Sequence, residues 1–153
     1  MKRVAAVASM CCALLVGCAA YEKGAGSVDP KNPRVTVKDG QIDVPLFLYF
    51  SGEEKEFRVT WHLPADSRLR FPDNGIVIEG ALTEKLQRVT VDKTTQVAVV
   101  LDTNQNEIID CRPEKQGLAF SCFNRRSRPG IYKYTIRVRD GDRTLERDPY
   151  IMN

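Results

Sequence analysis

The chain has 153 residues, 42% of them hydrophobic and 28% charged, with a formal net charge of +3. That apolar content suffices for one buried core and rules out general disorder, and the length suits a single domain. No run approaches the roughly twenty apolar residues of a spanning helix, and the charge is too small for a dedicated nucleic-acid binder.

The first segment reads as an export signal. Lys2 and Arg3 precede an apolar stretch from Val4 to Val16, too short for a stable anchor but suited to the central region of a signal peptide. The stretch ends at Leu15-Val16-Gly17-Cys18, which resembles the lipobox of bacterial lipoproteins. The resemblance implies that residues 1–17 are removed. Cys18 then becomes the first residue, carrying a thioether-linked diacylglyceryl group and a palmitate-type N-acyl chain. Small residues before the cut let the backbone enter a protease site, and the thiol is the nucleophile for lipid attachment. One acyl chain binds a membrane marginally, whereas two or more hold a protein stably. The competing reading is an ordinary secretory signal that happens to contain Cys18. Ala19 stands where enteric-type sorting reads Asp as inner-membrane retention, so the resemblance implies an outer-membrane lipoprotein on the periplasmic face.

Of the five cysteines, Cys11 and Cys12 then leave with the signal and Cys18 takes lipid. Cys111 and Cys122 remain, and an exported chain crosses an oxidising compartment, so they are expected to form one disulfide. The chain-entropy model gives such a loop about 3 kcal/mol. A metal pair is the competing reading, but His62 is the chain's only histidine.

Without its signal the chain carries 21 basic and 20 acidic side chains, so the mature form is nearly neutral. Residues 18–33 read as the lipidated cysteine and a flexible tether, AAYEKGAGSVDPKNP after Cys18, with a coil span of roughly 20 Å. The folded domain is expected over residues 34–153.

From Arg34 the hydrophobic period is two. Arg34 to Lys38 alternates and meets the turn pair Asp39-Gly40. Pro45 to Phe50 is a nearly continuous apolar run, which suits a core strand. Glu56 to Leu63 alternates, placing Phe57, Val59, Trp61 and Leu63 on one side and His62 on the other. Further strands are expected at 76–79, 87–92, 96–102, 107–111 and 118–123. Ile131 to Arg139 places Tyr132, Tyr134, Ile136 and Val138 together. Asp140-Gly141 then signals a hairpin that sets Leu145 opposite Ile136.

Short strands, frequent turn signals and no long amphipathic helix predict an all-β fold, an antiparallel β-sandwich of about 7–9 strands. Two features resemble immunoglobulin-like domains. Trp61 lies on what reads as the third strand, and Pro129-Gly130-Ile131-Tyr132-Lys133-Tyr134 is similar to the PGxYxY lead-in to a late strand. Cys111 and Cys122 lack antibody-type spacing and read as a local hairpin staple. A transthyretin-like sandwich or a small barrel are the alternatives.

No nucleophile-elbow, zinc-protease, P-loop or dinucleotide fingerprint is present, so a non-catalytic protein is expected, with no cofactor. Asp102, Asn104, Asn106 and Asp110 look like the front half of a calcium loop. Glu107 stands where Gly is wanted, however, and Pro113 where the bidentate Glu belongs, so hairpin-turn chemistry is the better account and no metal is expected. Trp61, Tyr49, Tyr132 and Tyr134 are expected in the core. Residues 112–147 hold ten basic and four acidic side chains. Within them Arg125, Arg126 and Arg128 crowd one loop whose guanidinium groups suit phosphate or carboxylate ligands. Glu146 near Arg137, and Asp142 opposite Arg139, are expected to balance part of this charge.

The composite expectation is a lipid-anchored envelope lipoprotein acting as a binding or structural module. Its partners would be the membrane, through the acyl chains, and an envelope protein, peptidoglycan or lipopolysaccharide. An accessory subunit of an envelope or secretion assembly and a periplasmic hydrolase are the rival readings; nucleic acid is not an expected partner.

Overall fold

The computed structural model describes residues 29–51, 55–88 and 95–153, with side chains described over 29–51, 55–84 and 99–153. The signal, Cys18 and most of the tether lie outside the described residues, as does most of the strand expected at 87–92.

Eleven strands follow in order among the described residues: β1 (Thr36–Lys38), β2 (Gln41–Asp43), β3 (Phe47–Tyr49), β4 (Phe57–His62), β5 (Ile76–Arg88), β6 (Thr95–Asp102), β7 (Ile108–Glu114), β8 (Ala119–Asn124), β9 (Ile131–Asp140), β10 (Arg143–Arg147) and β11 (Tyr150–Met152). One 3-10 turn, Lys115–Gly117, joins β7 to β8. The fold is all-β and sandwich-like. A three-stranded sheet, β4-β8-β7, packs against a larger one ordered β3-β11-β9-β5-β6, in which β10 also pairs with β9. Among these strands pairing is antiparallel except between β3 and β11, which run parallel; an isolated parallel bridge also joins Arg34 to His62 of β4. Trp61 therefore lies on the fourth strand, because the Asp39-Gly40 turn closes an extra β1–β2 hairpin in which both turn residues have positive φ, 51° and 75°.

The alternation read from β4 and β9 is what joins the layers. Val59 and Trp61 from β4, Phe120 and Cys122 from β8, and Tyr132, Tyr134, Ile136 and Val138 from β9 are all fully buried. The Trp61 and Tyr134 rings meet across the two sheets at 5.4 Å, and the Trp61 indole N–H donates to the Tyr134 hydroxyl oxygen at 3.3 Å. Burying an indole N–H is tolerable because that partner is present. The Tyr132 hydroxyl, at the start of β9, donates to the carbonyl of Arg128 at 3.3 Å, and Gly130 packs against its ring.

Three expectations need correction. The segment at 76–79 is the front of one thirteen-residue strand, β5, that runs through residues 87 and 88. Gly80 marks a bulge between Ile78 and Gly80 rather than a strand end, so the extra residue is absorbed while pairing to β9 continues. Second, Pro45 to Phe50 is no fully buried core strand. β3 is the edge of the larger sheet: Leu48 is buried, but Phe47 is 49% and Tyr49 61% exposed, so Tyr49 leaves the predicted aromatic core. Third, Leu145 faces Val138 and Thr144 faces Arg139, while Asp142 sits in the two-residue loop. Leu145 keeps the expected inward parity, because its partner shifts by two residues along the strand. Glu146 does face Arg137, with a carboxylate–guanidinium distance of 2.6 Å.

The sulfurs of Cys111 and Cys122 are bonded, as expected from the cysteine arithmetic. The bridge spans neighbouring strands β7 and β8 at a register shift between Ile109 and Arg112, where Asp110 has φ of 52°.

The ordered body engages the chain earlier than residue 34. Asp29 accepts from the Lys31 N–H and the Asn32 amide, closing a turn. Backbone bonds then join Lys31, Pro33 and Val35 to Thr60 and His62 along the free edge of β4.

Candidate functional site

The arginine loop links β8 to β9. Its geometry is set from within by Glu107, a carboxylate only 7% exposed. Glu107 accepts from the Ser127 N–H at 3.1 Å and from the Ser127 hydroxyl, and lies 3.8 Å from the Arg128 guanidinium. Its backbone carbonyl also accepts from the Arg125 N–H. A buried carboxylate is costly unless such donors surround it, so Glu107 and the loop fix each other.

The three arginines have separate roles. Arg126 sits at φ 47°, its N–H held by the Asn124 side chain and its guanidinium donating to the Phe50 carbonyl at 2.6 Å. Arg128 points towards Glu107 yet keeps a 65% exposed side chain. Arg125 is exposed. Sequence reading grouped these residues correctly in space but missed Glu107, which it treated only as a misfit in a calcium loop. The signal available was an acidic residue just ahead of a strand in a chain whose basic residues cluster after it.

The calcium-loop residues behave as turn formers. Asp102 accepts from the Asn104 N–H and the Gln105 amide, while Asn106 accepts from the Ile108 N–H. Asp110 stands apart from that turn, in the β7 bulge. Among the described residues, no cluster of three or more His, Cys, Asp or Glu side chains has the geometry to hold a metal ion.

His62 lines a cavity of about 470 Å³ with Asn32, Arg34, Thr36 and Pro64. It is half-buried rather than freely exposed. Burial, then the positive charge of Lys115, holds its imidazole pKa below the usual value, with Glu114 opposing and Arg34 reinforcing. Its Nε2 lies 3.4 Å from the Asn32 side-chain oxygen.

A second cluster covers the outer face of the larger sheet. Lys133 bridges Glu79 at 2.8 Å and Asp148 at 3.3 Å, and the Thr135 hydroxyl contacts both carboxylates. The Glu79 hydrogen bond is the main cause of a raised Lys133 pKa. Two carboxylates bridged by one ammonium make a structural clamp over Thr135, which is only 4% exposed despite its outward parity.

The larger sheet also carries exposed apolar side chains. Leu46, Phe47, Tyr49, Val77, Val99 and Leu101 are the large exposed hydrophobics among the described residues, and all lie on or beside strands of the larger sheet. Sequence reading missed this surface because an apolar strand looks the same whether its second face is covered or open.

Compared with family models, curated proteins and solved structures, the chain matches none.

Proposed function

We propose that the protein is an acylated envelope lipoprotein whose immunoglobulin-like sandwich acts as a non-catalytic binding or structural module held close to a membrane. The observation that carries this reading is the Leu15-Val16-Gly17-Cys18 motif standing ahead of an all-β body. Asp29, where the described fold begins, stands eleven positions after Cys18 of the Leu15-Val16-Gly17-Cys18 motif. Even fully extended, eleven positions reach no further than about 40 Å, so an acylated Cys18 holds the domain close to the surface. Anchoring raises its local concentration for envelope partners.

Two features support the immunoglobulin-like assignment. The order β4-β8-β7 facing β3-β11-β9-β5-β6 corresponds to the B-E-D and A′-G-F-C-C′ sheets of variable-type domains, with β10 as an addition. The Tyr132 bond to the Arg128 carbonyl has the form of a tyrosine corner, four residues back along the chain at the start of the F-equivalent strand. The PGxY sequence supplies the turn that makes that bond local.

Intact-mass measurement of protein taken from its native membrane tests the proposal. Acyl mass on Cys18, lost together with detergent-phase partition in Cys18→Ser, is the expected result. An unmodified Cys18, or wild-type protein recovered in the aqueous phase, overturns it.

A further inference from the structure

The register of the larger sheet aligns one outward residue from each of five strands. Tyr49 of β3 pairs with Met152 of β11, Met152 with Ile131 of β9, Ile131 with Leu82 of β5, and Leu82 with Leu101 of β6. Their chain neighbours Leu48, Ile151, Tyr132 and Ala81 are buried, so strand alternation places this row on the opposite, outer face. At about 4.8 Å between strands, the row is about 19 Å long. Phe47 and Tyr150 stack beside its β3 end at 5.4 Å, and Val99 extends it along β6 with 65% exposure.

Two observations indicate what covers this face. The first is the place where the tether arrives. Pro30 and Lys31, among the first described residues, line a hollow of about 240 Å³ together with Tyr49, Phe57 and Arg126, which puts the start of the described chain beside the β3 end of the row. The second is charge. The loop that carries Arg125, Arg126 and Arg128 runs directly into Ile131, the central member of the row, and Lys31 lies over the Phe57 ring at 5.2 Å. The acidic group inside that loop, Glu107, is buried. Further along β9 the outer face turns to paired charges, with Lys133 held by Glu79 and Asp148 and Arg137 by Glu146. The apolar row thus runs from the β3 end to β6, where the exposed Glu84 faces Val99, while the cationic groups gather at the β3 and β9 end, a distribution that suits an interfacial contact with anionic lipid there.

We propose that the row Tyr49–Met152–Ile131–Leu82–Leu101 and the adjoining arginine loop form the face on which the domain lies against the phosphate-bearing headgroup surface of the bilayer that holds its anchor. This rests on the acylated-Cys18 reading, because the short tether brings the face to that surface. Aromatic and aliphatic side chains enter the headgroup boundary, while the exposed guanidinium groups of Arg125 and Arg128 meet lipid phosphates. The His62 cavity and the opposite sheet then face away from the bilayer.

The test uses the full acylated protein in vesicles of phosphatidylethanolamine and phosphatidylglycerol, with brominated phospholipid as a contact quencher. Tyr49→Trp and Leu101→Trp place reporters on the face, and Arg112→Trp places one on β7 of the smaller sheet; the buried Trp61 is a common background. Lipid contact predicts quenching at positions 49 and 101 about twofold or more above that at 112, and reduced quenching when Arg125→Glu is added. Either face variant suffices if the other does not fold. Acyl mass on Cys18 with equal quenching at all positions overturns the proposed face and leaves the anchor standing. An unmodified Cys18 removes the anchor, and the orientation falls with it. Stronger quenching at 112 overturns the orientation directly.

Discussion

Tyr134 shows how one polar atom can sit in an apolar core. Its ring fills the space beside Trp61, burial drives its phenol pKa strongly upward, and its oxygen satisfies the indole N–H. Tyr134→Phe keeps the ring but leaves that N–H without its partner. The expected loss is about 1–3 kcal/mol in denaturant unfolding, the desolvation penalty of one buried donor. A change below a few tenths of a kcal/mol would mean the indole finds another acceptor. The burial of Tyr134 was legible from its alternation with Tyr132, Ile136 and Val138. Tyr49 gave the same kind of signal and is exposed, because periodicity reports which residues share a face and not what covers it.

At the level of elements, each of the two main sheets carries one device that depends on close approach, a glycine bulge in the larger and the disulfide in the smaller. The β5 bulge brings Gly80, at φ 141°, so near the β6–β7 turn that an added Cβ would lie 2.3 Å from the Asp102 carbonyl oxygen. Gly80→Ala therefore meets backbone that cannot yield as a side chain would. A loss of about 2 kcal/mol or more is expected, seen as a lowered thermal midpoint. Gly141→Ala, whose Cβ would meet open space at φ 62°, is expected to cost only about 1 kcal/mol. Equal effects would deny the close contact. The disulfide is the other device: it fastens β7 to β8 at a break in their register. The paired Cys111→Ala and Cys122→Ala replacement should cost about 3 kcal/mol, and reductant should lower the wild-type midpoint while leaving the variant's unchanged. Strand existence and the β9–β10 hairpin were readable from period and turn residues. The fusion of two expected strands into β5 was not, since Glu79-Gly80 reads as a break when only local preference is considered, and pairing to β9 on one side and β6 on the other overrides it.

For the whole molecule, the seam between the leading segment and the smaller sheet introduces a pH dependence. Lys31, Pro33 and Val35 bond to β4, and His62 stands in that seam beside Asn32 and Arg34. Burial and then Lys115 depress the folded imidazole pKa; Arg34 acts in the same sense and Glu114 against it. The unfolded chain, with an ordinary histidine, binds its proton first as pH falls. Between the unfolded value near 6.5 and the lower folded value, the unfolded state holds more protons, so stability declines through that window and is unaffected by His62 above it. Asp29, whose pKa is lowered mainly by the Asn32 hydrogen bond, contributes in a separate and more acidic window around the carboxylate range. Thermal midpoints measured at about pH 7.5 and about pH 5 should therefore fall on acidification in the wild type and fall less in His62→Gln, which cannot take up the proton. An identical decline in both proteins would show that His62 is not the group that senses pH at the seam.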